Sequence, residues 1–274
     1  MKRFFFKDGS IQDYTSVLND YNNGSVTIVA APAPCHLYIG SRSPINSIYI
    51  KMATPNTPAG HYLSAHYWTQ AGWVSAVETT DETVGFSASG RVSWTPDRDE
   101  HWKMSSTNYQ TEVITGLESF NVYDLYWTKL SLSSGTLDAV FAWAGDIFTD
   151  DNDLAAEFPD LARSNVLTSF KAGKTSWEEQ HIKATEVVIN DLIDKGIILE
   201  GGQIINREEY KGACVMKCAE IIFRAFGDGY IDRANEARAE YIRRLDKRKP
   251  NVDRNNNAID DSTERRFNTG FLSR

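Results

Sequence analysis

The hydrophobic period of this chain changes once, near its middle. From about Ser25 to Phe148 the sequence is rich in Val, Ile, Tyr, Trp, Ser and Thr, with turn residues every eight to twelve positions or so. Apolar side chains alternate at Ile48, Ile50 and Met52 and again at Tyr126, Leu130 and Leu132, the two-residue repeat of a strand with one buried face. After the acidic turn Thr149-Asp150-Asp151-Asn152-Asp153 the spacing becomes that of helices. One chain with both periods needs two kinds of core, and 274 residues are more than one compact core usually takes. The expectation is an α+β chain: an antiparallel β-sandwich over 1–150, a helical domain over 151–250 and an extended C-terminal arm over 251–274.

Punctuation supports short strands. Breaks fall at Pro55-Asn56-Thr57-Pro58-Ala59-Gly60, Thr95-Pro96-Asp97-Arg98-Asp99 and Ser133-Ser134-Gly135, where proline, glycine and Asx chemistry favour turns. In the second half a first long helix is expected to start at a Thr175 or Ser176 cap, with Glu178 or Glu179 in the capping-box position, and to stop before Gly196. Its apolar stripe is Trp177, Ile182, Val188, Ile189, Leu192 and Ile193. A second helix follows Asn206, with Glu209 at the box position, and ends before Gly227. A third runs from about Asp232 to Lys249, stopped by Pro250; its narrow Ala/Tyr/Leu stripe and i, i+4 charge pairs predict half exposure.

Charge is unevenly spread. Residues 1–150 carry 9 basic and 15 acidic side chains, 151–230 carry 9 and 14, and 231–274 carry 11 and 8. A net charge of −8 argues against nonspecific adhesion to nucleic acid or acidic membranes by the whole chain. No segment approaches the length of a membrane span, and Met1 to Asp8 is too short in its apolar part for a signal peptide, so a soluble protein is expected. Cys35, Cys214 and Cys218 do not form a disulfide framework; the last two, four apart in a helical pattern, read as buried small hydrophobes, which suits a reducing compartment.

The C-terminus mixes Arg265, Arg266 and Arg274 with Phe267, Phe271 and Leu272, a composition of interface anchors. The order of features from Val122-Tyr123-Asp124-Leu125-Tyr126-Trp127 through Ala142-Trp143-Ala144-Gly145, Glu157-Phe158-Pro159-Asp160-Leu161, Lys174-Thr175-Ser176-Trp177-Glu178-Glu179, Ala219-Glu220-Ile221-Ile222-Phe223 and Gly270-Phe271-Leu272 resembles tailed-phage virion proteins of the head-to-tail adaptor (connector, or neck) family. The likeness spans about the last 150 residues. It implies a structural virion protein assembled in the host cytoplasm, a helical bundle of the adaptor type, a ring of twelve copies at the portal protein, and a docking arm formed by Arg265, Arg266, Phe267, Phe271, Leu272 and Arg274. Other neck or tail proteins would be further partners, and genome DNA would pass through a channel whose acidic lining repels phosphate. Many such adaptors lack a β domain; here it would be a decoration, an inter-subunit brace or a carbohydrate-binding module, and that last role fused to a helical interaction domain is the alternative function.

Chemistry-bearing motifs are sparse. Asp253, Asn255, Asn257, Asp261 and Glu264 take positions 1, 3, 5, 9 and 12 of a calcium-loop spacing. Position 6 is Ala258, where the sharp turn wants glycine, and no second helix follows, so the competing expectation is a solvated Asx-rich turn. His36, His61, His66 and His101 have no spacing that demands a metal, and Cys35 and His36, adjacent in a strand, should point to opposite faces. Asp97, Asp99, Glu100, Glu112 and Glu118 form no fixed pair for glycoside hydrolysis, and phosphate-cradling glycine motifs are absent. Tyr62, Tyr67, Trp68 and Trp73 would make a sugar-stacking platform only if they shared a face. No catalytic residues and no cofactor are expected.

Overall fold

A computed structural model describes residues 2–7, 10–22, 24–57, 62–247 and 252–259. The chain forms two compact units: Met1–Gly145 with Asp253–Ile259, and a second containing Asp146–Val252. The chain is α+β, with antiparallel sheets in the first unit and long helices in the second.

The β unit begins with β1 (Arg3–Lys7), β2 (Ile11–Asp13) and the short α1 (Thr15–Leu18), followed by β3 (Val26–Pro32), β4 (Cys35–Ser41), β5 (Ser47–Thr54), β6 (Leu63–Thr69), β7 (Gly72–Ser75), β8 (Glu78–Asp81) and β9 (Gly90–Thr95). A small hairpin, β10 (Asn108–Tyr109) with β11 (Glu112–Val113), precedes β12 (Tyr126–Leu132) and β13 (Thr136–Gly145). Among the described residues a six-stranded sheet runs β2-β1-β4-β12-β6-β7 and a five-stranded sheet β3-β13-β5-β9-β8. The core between them joins Phe4, Leu37, Ile39, Ala65, Leu130 and Leu132 of the first to Ile28, Ile48, Ile50, Val92, Leu137 and Phe141 of the second. The expected alternation of Ile48, Ile50 and Met52 is therefore inward-facing, as a sandwich requires.

The six-stranded sheet is also covered on part of its outer face, and this explains three consecutive phenylalanines in β1. Phe4 and Phe6 face the sandwich core, while Phe5 lies outside it beneath the loop 105–125, with Tyr38, Trp127, Ile114 and Leu117. A period of two cannot flag such a strand as half-buried, because both faces are apolar. The lid fits closely: a methyl group at Gly40 would lie 2.9 Å from the Trp127 ring and from Leu125.

The helical unit contains α2 (Asp151–Glu157), α3 (Ser164–Phe170), α4 (Glu178–Asp194), α5 (Glu208–Ala225) and α6 (Ile231–Lys247). The acidic turn that ends the β pattern becomes a reciprocal cap: the Asp150 carboxylate accepts from the Asp153 amide at 2.9 Å, and Asp153 accepts from the Asp150 amide at 3.2 Å. The first long helix starts differently from expectation. Trp177 holds the cap position without a side-chain cap, and its amide donates to Asp151 at 2.9 Å. Ser176 Oγ still accepts from the Glu178 amide at 3.4 Å, while a tertiary carboxylate meets the Trp177 amide, which local spacing cannot reveal. Ile193, expected on the apolar stripe, is 37% exposed; it follows Leu192 by about 100° of rotation and so leaves the buried face.

The core of this unit centres on α5, which packs against α2, α4 and α6 and buries Tyr210, Ala213, Cys214, Met216, Cys218, Ala219 and Ile222. The third long helix contributes only Ala234, Ala237, Tyr241 and Leu245, the narrow stripe its composition predicts. Arg244 ties it down, bonding Glu240, the Glu157 carboxylate and the Gly212 carbonyl. Among the described residues no helix is long and apolar enough to cross a membrane.

Candidate functional site

The expected docking-arm residues Arg265, Arg266, Phe267, Phe271, Leu272 and Arg274 lie outside the described residues, as do Asp261 and Glu264 of the calcium-loop spacing and His61. Of the segment 251–274, Asp253–Ile259 belongs with the β unit, where Ala258 packs beside Tyr67, Trp102 and Tyr126.

Asp253 is fully buried. One carboxylate oxygen accepts from the Asn257 amide at 3.1 Å and the other from the Ala258 amide at 2.8 Å. Asn255 Oδ1 accepts from the Asn257 amide and Asn257 Oδ1 from the Ile259 amide. These are Asx turns in which side-chain oxygens order the loop's own backbone. Ala258 takes a left-handed φ of 57°. The position therefore makes the turn glycine would make, and the strain is offset by burying the methyl group on three aromatic rings. Among the described residues no group of three or more His, Cys, Asp or Glu is arranged to hold a metal.

A buried polar centre that periodicity did not signal lies in the helical unit. His181 is 1% exposed; its Nδ1 lies 2.8 Å from Thr149 Oγ1 and its Nε2 3.2 Å from Asp151. Thr185 donates to the His181 carbonyl and accepts from the Phe148 amide, and both threonine hydroxyls lie 3.5 Å from Cys214 Sγ. Burial opposes charge on Asp151, but its hydrogen bonds from His181 and the Trp177 amide, with Lys174 nearby, hold its carboxyl below the usual range. Burial pushes the Cys214 thiol up to about 11, outweighing the two threonine hydrogen bonds, so it is protonated at neutral pH and poor as a nucleophile. The arrangement joins the start of α2 to α4 and α5 as a satisfied structural network.

On the β unit, Cys35 faces the core and His36 the outer face of the sheet. The aromatic run divides. Tyr67 is fully buried and Tyr62 is 65% exposed, whereas Trp68 and Trp73 pair across the β6–β7 hairpin with rings 5.2 Å apart. Parity along one extended stretch would separate those tryptophans; the turn at Gln70-Ala71, completed by Gly72 at φ 103°, reunites them. The loop carboxylates serve their own loops: Asp97 accepts from the Asp99 amide, Glu112 from Ser106 and Glu118 from Gly116.

Surface features of the helical unit are apolar as well as charged. Ile193, Leu199, Tyr230, Ile231 and Ile242 are exposed, Leu199 by 84%. Lys195 pairs with Asp246 and Tyr241 donates to Asp191, joining the end of α4 to α6 beside Ile193 and Ile242. A groove of about 440 Å³ is lined by Glu209, Gly212, Ala213, Arg243, Arg244 and Lys247. Compared with protein-family models, curated proteins and solved structures, the chain has no match.

Proposed function

We propose that this protein is a structural subunit of a tailed-phage particle, a head-to-tail adaptor whose helical unit packs side by side with neighbouring copies in a ring and whose C-terminal residues dock on the portal. The observation that carries the reading is the apolar surface of the helical unit. That unit has its own closed core, yet Ile193, Leu199, Tyr230, Ile231 and Ile242 remain exposed. Single exposed apolar side chains are ordinary, but five in one small unit suit a subunit that buries them against partners. The buried polar centre, with its protonated thiol and satisfied histidine, suits a scaffold better than a reaction site. The carbohydrate-binding alternative has less support, since Tyr67 is core and only Trp68 and Trp73 share a face, packed edge to face.

The test is co-sedimentation with assembled portal rings, comparing the full chain with one ending at Ile259, which retains the segment packed on the β unit. Binding by the full chain alone is the expected result and assigns the contact to 260–274. Failure of both chains to bind overturns the adaptor reading.

A further inference from the structure

We propose that the outer face of the six-stranded sheet carries a binding site for a tetrahedral oxoanion, phosphate or sulfate, between Lys7, His36, His66 and Lys129. Strand register brings these residues together from four different strands. Lys7 of β1 pairs with His36 of β4, His36 with Ser131 of β12, and Ser131 with Ser64 of β6. In the next row Tyr38 pairs with Lys129, and Lys129 with His66. Residues i and i+2 share a face, and directly paired side chains have Cβ atoms roughly 5 Å apart. The two rows therefore form a compact field of two lysines, two histidines and two serine hydroxyls.

The field begins where the apolar lid ends. Loop 105–125 covers Phe5, Tyr38 and Trp127, while Lys7, His36, His66 and Lys129 remain partly exposed. His36 Nδ1 is held 2.9 Å from Ser131 Oγ, which leaves its other ring nitrogen for a ligand. The Lys129 ammonium stands 4.9 Å above the Trp73 ring.

Charge completes the argument. This chain carries eight more acidic than basic side chains, and elsewhere lysines find carboxylates, as Lys103 does with Glu112 and Lys211 with Asp153. Among the described residues no carboxylate comes within ion-pair distance of Lys7, His36, His66 or Lys129. The charged group facing them from the lid is Glu118, which feels Lys7 but accepts a hydrogen bond from the Gly116 amide at 2.9 Å. Burial, with Lys129, Lys7 and His66 adding to it, lowers His36 to about 4; burial and Lys129 lower His66, and burial and Lys7 lower Lys129. Like charges gathered on a half-buried face oppose one another until an anion joins them. An oxoanion accepts from both lysines and favours protonation of the histidines, so its affinity follows their charge; the Ser64 hydroxyl already donates to the Ser131 carbonyl at 3.4 Å, and Ser131 Oγ holds His36 in place.

The experiment is a titration of the full-length protein with sodium phosphate near pH 6, read from the histidine ring resonances. Sodium chloride at equal ionic strength is the reference and exposed His101 the internal control. The expected result is a saturable shift of His36 and His66 over the chloride reference, an upward move of the His36 pKa by about one unit or more, and about tenfold weaker binding in K129M. Should K129M fail to fold, K7Q reads the same loss. Methyl phosphate as a second probe separates a site for phosphate esters, which bind equally well, from a site for the free ion, which alone shifts the rings. Shifts that merely follow ionic strength, or phosphate affinity unchanged in both variants, would overturn the proposal.

Discussion

His181 in the helical unit and His36 in the β unit have the same first neighbour, a hydroxyl oxygen within 3 Å of Nδ1, and opposite second neighbours. Beyond His181 lies the carboxylate of Asp151, which also caps the Trp177 amide. Beyond His36 lie Lys7 and Lys129. The polar centre around His181 closes its groups on one another, whereas the outer face of the sheet leaves a set of like charges unanswered. A network complete within the fold contributes to stability, and an incomplete one of a single sign points outward to a ligand.

The largest expected effects test whether the units keep separate accounts of their cores. Trp177 and Trp127 are each buried to within 1% and donate their indole N–H to a carbonyl, Leu161 and Ser105 respectively. Trp177→Ala should cost about 3–5 kcal/mol, as should Trp127→Ala. In urea unfolding followed by far-ultraviolet dichroism, the first should shift the helical signal and the second the strand signal. Equal displacement of both signals by either substitution would merge the two units into one cooperative block.

Next in size is Asp151→Asn. Removing the charge that faces His181 and the Trp177 amide should cost about 1–3 kcal/mol in the helical unit, measured by the same unfolding experiment. An unaffected helical transition would reduce the polar centre to a packing feature.

Acid should then separate the units by pH. The His36 pKa is lower folded than unfolded, so its contribution is intact above about pH 6.5 and lost as pH falls toward about 4. Because the ring is only partly buried, solvent screening reduces the loss to about 1–2 kcal/mol. Asp151, also lowered, contributes above its ordinary value of 3.8 and loses that contribution only as pH falls through and below it. Thermal melts from about pH 7 to about pH 5 should therefore weaken the β unit and spare this contribution to the helical one, and His36→Gln should flatten the slope. The smallest effect concerns thiols. Cys35, Cys214 and Cys218 are all buried, so a thiol-specific disulfide reagent should label the native chain slowly and all three sites promptly in urea; rapid native labelling of Cys214 would contradict its packing.

Much of the fold was legible in the sequence because it rests on local repeats. Alternation placed Ile48, Ile50 and Met52 inward, and the sparse stripe of the last long helix predicted a face limited to Ala234, Ala237, Tyr241 and Leu245. The N-terminal strand was harder to see, since Phe4, Phe5 and Phe6 are buried on two different faces and show no alternation. The site was less legible still. The polar positions His36, Lys129, Ser131, Ser64 and His66 do alternate with core residues such as Leu37, Leu130 and Ala65, yet strand order is a long-range property and nothing local says that β12 lies between β4 and β6.

By itself, then, the sequence determined two kinds of core, the turn between them and the faces of most elements, because side-chain direction along a strand or helix follows from backbone geometry alone. Only the tertiary structure decided that Asp151 caps the helix after Trp177 and that Asp253–Ile259 packs with the β unit. It alone brought four basic side chains from four strands onto one face. Each of these joins residues far apart in the chain, and such pairings depend on which surfaces the folded chain can bury together.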